Sequence, residues 1–86
     1  MSEGKLREQI DRAAQSERLM RDPILMEAFE KLDAEFLRAW RGTNVDDTAA
    51  RERLYMLCQS LEAVRTHLAA VVTDGKIAKL NLEKLK

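Results

Sequence analysis

The sequence holds one cysteine, Cys58, and one histidine, His67, in 86 residues. A lone cysteine cannot close a disulfide within the chain, and one Cys with one His cannot supply the four ligands of a closed zinc site. A reducing compartment and no metal are therefore expected. Proline occurs once and glycine three times, so few positions break a helix. Isoleucine, valine and threonine together number only 11, which argues against strands. There are four aromatic residues (Phe29, Phe36, Trp40, Tyr55), and 11 of the apolar side chains are alanine, so the core must be thin and aliphatic. Fifteen basic and fifteen acidic residues cancel, leaving no global field to draw in nucleic acid or an anionic membrane. The longest apolar run, Leu68 to Val72, is five residues against the ~20 that cross a bilayer, and the opening Met-Ser-Glu-Gly-Lys lacks the apolar stretch of a secretory signal. The expectation is one soluble helical domain over 1–86, made inside the cell and without a cofactor.

What the chain does contain is the helix-forming alphabet of Leu, Ala, Glu, Lys, Arg, Gln and Met. From about 5 to 21, Leu6, Ile10, Ala13 and Met20 line one helical face, interrupted by Glu17. Asp22-Pro23 then reads as an N-cap followed by proline at the first helical position, where a missing N–H costs nothing. A second helix over about 23–41 carries Leu25, Phe29, Leu32, Phe36 and Trp40 at spacings of three and four, and Gly42 is the expected stop. Continuing the first stripe past Met20 lands on Ile24 rather than Leu25, a slip of roughly 100° around the axis, so a break at Pro23 is expected. The short loop beginning at Gly42 turns the third helix back antiparallel, capped by Asp46 or Asp47.

In that third helix Leu54, Leu57, Leu61, Val64, Leu68 and Val71 alternate three and four, a heptad seam with Leu54 at position a and Leu57 at d. Gly75 occupies the next a position, and Ala78, Leu82 and Leu85 keep the phase beyond it, so the helix is expected over about 47–73 or, continuing through the glycine, to 85. The fold class is all-α: a long antiparallel helical hairpin with an additional N-terminal helix.

The same helix carries a second line. Ala49, Met56, Ala63, Ala70 and Ile77 recur every seven residues at position c, roughly 160° from a. Two lines imply two neighbours. Helix two should cover a and d, and either helix one or a second chain should cover the alanines, whose small side chains permit close approach. Met56, Ala63, Ala70 and Ile77 are thus the candidate interface. Trp40 either closes the tip of the hairpin or, with Leu37 and Met26, anchors a partner surface.

Catalytic constellations are not evident. His67 at position g has no second His or Cys one turn away and reads as a polar residue at the edge of a helix contact. Cys58 at position e reads as a small buried apolar side chain. Glu27 with Lys31 and Asp47 with Arg51 read as helix ion pairs of about 0.2 to 0.5 kcal/mol each. Lys76, Lys79, Lys84 and Lys86 form a basic C-terminal end that is a candidate phosphate site, although lysines there also complement the helix dipole.

The segments ILMEAFEKLDAEFLRAW, DDTAARERLYMLCQSLEAVRTHLAAVV and DGKIA, within Glu17 to Leu80, resemble small helical proteins encoded by tailed bacteriophages and prophages near head and packaging genes. Trp40, Asp47-Thr48, the run Ala50 to Leu54, and Gly75-Lys76 carry the resemblance. It implies a phage setting, with the host cytoplasm or the virion as location, and no catalytic or binding residues. The function expected is non-enzymatic: an assembly or virion-associated protein acting through helix-to-helix contacts, as a homo-oligomer or on a larger phage or host protein. The rival readings are an inhibitor of a host or defence protein and, less favoured, a nucleic-acid accessory factor using the lysine-rich end.

Overall fold

Three capped starts divide the chain into three helices in the computed structural model, which describes residues 2–85. Helix α1 runs Glu3–Met20, and the Ser2 hydroxyl accepts the Lys5 N–H at 3.2 Å. Helix α2 runs Pro23–Arg41; one Asp22 carboxylate oxygen accepts the N–H groups of Ile24 and Leu25 at 2.9 and 3.0 Å, and proline sits in the first turn. Helix α3 runs Thr48–Lys84, and Asp47 rather than Asp46 caps it by accepting from the Ala50 N–H at 3.1 Å. Each cap satisfies donors that the first turn leaves without an intrahelical partner. The fold is all-α, with no strand among the described residues.

At about 1.5 Å per residue, α1 and α2 together are as long as the 37-residue α3, about 55 Å. They lie end to end along it, running opposite to it, with the break at Asp22-Pro23. Contacts between α1 and α3 fall in the C-terminal half of α3, and those of α2 in its N-terminal half. The result is a rod of 61 × 25 × 14 Å with a radius of gyration of 18.3 Å, where a compact chain of this length would have about 12 Å.

The core is concentrated where α1 meets α3. Among the described residues Leu6 and Ala78 are the buried apolar side chains, at 2% and 1% exposure, and Ser16 and Gly75 are buried along the same interface. Gly75 lets the two helices approach so closely that a Cβ placed on it would overlap the Ala13 methyl and sit 3.2 Å from the Gln9 carbonyl oxygen. This explains why α3 continues through Thr73-Asp74-Gly75 despite their poor propensity. A mid-helix glycine costs about 1 kcal/mol relative to alanine, and the close packing it permits offsets that. The Ser16 hydroxyl donates to the Leu68 carbonyl at 2.7 Å across the same interface. Because that carbonyl lies within α3 and retains its intrahelical partner, Ser16→Ala should lower stability by only about 1 kcal/mol. A shifted urea midpoint with unchanged slope is the readout.

Gly42 ends α2 as expected, with a right-handed φ of −82°; the turn is closed by the Thr43 hydroxyl, which donates to the Trp40 carbonyl at 2.6 Å. Two local expectations are corrected. Glu27 and Lys31 pair at 3.3 Å, whereas Asp47 is committed to its cap and Arg51 turns to Trp40 instead. Cys58 is exposed rather than buried.

The largest correction concerns the heptad seam. Its a positions do face inward, but Leu57 and Val64 at d are 42% and 50% exposed, while Arg51 and Arg65 at e are half-buried. The Arg51 guanidinium lies 4.5 Å from the centre of the Trp40 ring, and that of Arg65 lies 5.0 Å from the centre of Phe29. Arg65 also pairs with Asp33 across the helices and with Glu62 along α3; the hydrogen bond that it donates to the Asp33 carboxylate, above all, holds its guanidinium pKa higher still. Cation–π contacts of about 0.5–1 kcal/mol each at exposed sites therefore hold the aromatic stripe of α2 towards e, and in the half of α3 that α2 covers the contact shifts away from the a/d line that apolar spacing alone predicts, whereas Val71 and Ala78 at d remain covered in the other half.

Candidate interaction surface

Rotation of the seam leaves apolar side chains on both flanks of the hairpin. On one flank Phe36, Leu37, Trp40, Leu54, Tyr55 and Cys58 line an open groove between α2 and α3. A second groove, of about 290 Å³, lies at the α1–α2 break among Leu19, Met20, Leu25, Met26 and Phe29. The Arg65–Asp33 pair stands between the two. Trp40 and Leu37 are both part-exposed, and Arg51 covers one face of the Trp40 ring.

Positions c and d of α3 give the other flank. Met56 is 68% and Ile77 52% exposed, and Ala63 and Ala70 are exposed as well. Helix α1 packs within the chain, but against Gly75 and Ala78 rather than against this line. Ala70 borders it, in a cleft with Gln9, Arg12, His67, Val71 and Asp74. Leu57 and Val64, displaced from the core, extend the same face. Leu37 and Trp40 lie on the opposite side of α3, so the candidate interface residues form two surfaces rather than one. Apolar periodicity found the c line; it missed Leu57 and Val64, whose exposure depends on where α2 settles.

Lys76, Lys79 and Lys84 are exposed along the last turns of α3, and Lys86 lies outside the described residues. His67 faces the Gln9 and Arg12 side of the cleft. Among the described residues no group of three or more His, Cys, Asp or Glu is gathered as a metal site would need, and no helix is long and apolar enough to cross a membrane. No known protein family, curated protein or solved structure matches the chain.

Proposed function

We propose that this protein is a non-enzymatic assembly protein, working through helix-to-helix contacts and foremost as a homo-oligomer, in the bacteriophage setting that its sequence resemblance implies. On this reading it acts in the host cytoplasm or as part of a virion. The observation that supports assembly is the surface itself. The chain exposes 6805 Å², about 1,600 Å² more than a folded monomer of its mass ordinarily shows. A standard protein interface covers about 800 Å² on each partner, so the excess is ample for one such contact. Much of it is apolar side chain on the outward faces of α3 and α2, where solvent contact is unfavourable.

Changing Ala63 and Ala70 together to glutamate tests the proposal. Both sites are exposed and glutamate is a good helix former, so the helicity of the single chain should be retained. Unpaired charges trapped in a contact cost several kcal/mol, so self-association should weaken by about 100-fold or more in sedimentation equilibrium. A parent protein that sediments as a monomer throughout the micromolar range would remove the homo-oligomer reading.

A further inference from the structure

We infer that two copies of this chain pair antiparallel through the outward c, d and g face of α3, about a two-fold axis passing beside Ala63 and Val64. The inference rests on the assembly reading above and specifies its geometry. Three sets of residues on the face share one centre. Along c, an antiparallel copy centred there sets Met56 against the partner's Ala70, Ala63 against the partner's Ala63, and Ala49 against the partner's Ile77. Each large side chain meets a small one. Along d, Leu57 meets the partner's Val71, and Val64 lies beside its own symmetry mate. Along g, between those lines, Arg53 meets the partner's Asp74 and Ser60 meets the partner's His67, each contact occurring twice by symmetry.

Charge complementarity selects this direction. A parallel pair would set Arg53 against Arg53 and Asp74 against Asp74, like charges whose juxtaposition is unfavourable. Neither residue takes part in an ion pair within the chain among the described residues, although Arg12 of α1 borders Asp74 across the cleft. Most of the face is available: Met56, Leu57, Val64, Ala63, Ala70 and Ile77 are all exposed; α2 lies on the a and e side, while α1, which covers Ala78 at d, flanks the C-terminal part of the face along the cleft lined by half-buried Val71 and by Asp74. Alanine at the centre permits an interaxial distance near the lower end of the usual 8–10 Å, which brings the two Ala63 Cβ atoms within reach of a disulfide when each is replaced by cysteine.

Cross-linking in a glutathione redox buffer tests the geometry, in a Cys58→Ser background that removes the native thiol. Ala63→Cys should form a disulfide-linked dimer in most molecules. Met56→Cys and Ala70→Cys should each stay largely unlinked alone, yet link to each other when the two proteins are mixed. A parallel pair would link all three alone, and that result overturns the inference. Sedimentation of the reduced proteins separates the two levels of the argument. A dimer that gives no Ala63→Cys link removes this geometry while leaving the assembly reading intact, and a monomer removes both.

Discussion

Gly75→Ala should destabilise the protein, although the same change in an ordinary helix interior stabilises it by about 1 kcal/mol. The added methyl would occupy the space of the Ala13 Cβ and crowd the Gln9 carbonyl, and both belong to α1 positions that cannot swing aside as a long side chain can. The helices must separate, loosening the packing around Leu6 and Ala78 and stretching the Ser16 to Leu68 hydrogen bond. Overpacking of this kind typically costs about 1–3 kcal/mol; with both neighbours held by the α1 backbone a net loss of about 2 kcal/mol is expected, a fall in melting temperature of roughly 10 °C for a domain of this size. Ala13→Gly added to Gly75→Ala moves the methyl from one helix to the other and should recover most of the loss. Gly4→Ala, where nothing lies within 4 Å, is the control and should be neutral or mildly stabilising. A Gly75→Ala protein that melted above the parent would show that α1 does not approach α3 at this point.

Leu6→Ala is expected to release α1. Leu6 is the largest side chain fully buried in the structure, and truncating a buried leucine costs about 2–5 kcal/mol. Domains of this length hold roughly 4–13 kcal/mol in total, and a chain with so few buried side chains belongs toward the lower end. The loss would fall on one element. Once unpacked, the 18-residue α1 is at the length where an isolated helix is marginal in water. Amide exchange in α1 should accelerate strongly, with a smaller change in the N-terminal half of α3, and helical circular dichroism should fall by up to about a quarter, the share of the helical residues that α1 represents. Uniform acceleration across all three helices would instead mean that the hairpin folds as a single unit.

These two sites lie at one end of the rod, and that asymmetry bears on function. The α1–α3 end is closed by a glycine-mediated approach, a buried hydroxyl and a buried leucine. The α2–α3 end has no buried residue in α2 and is held by Arg51 and Arg65 over aromatic rings. Met56, Leu57 and Val64 are left exposed beside the more loosely packed half, which is where the proposed two-fold contact is centred. Association there would add packing to the part of the hairpin that has least of its own.

The sequence by itself determined the elements. Asp22-Pro23 stops one helix and caps the next, and Asp46 or Asp47 starts the third, because caps, proline and apolar period act over a few residues and need no distant partner; the choice of Asp47, and the passage of α3 through Gly75 where α1 approaches, belong to the folded structure. The tertiary structure alone decided which way the helices turn their faces. Counting apolar residues placed Leu57 and Val64 in the core, but an arginine over an aromatic ring competes with a leucine for that place, and no spacing rule weighs one against the other. Nor could periodicity show that Gly75 meets Ala13, or that Ser16 reaches the Leu68 carbonyl 52 positions away. Those pairings depend on how two surfaces fit at 8–10 Å, a property that neither helix carries alone.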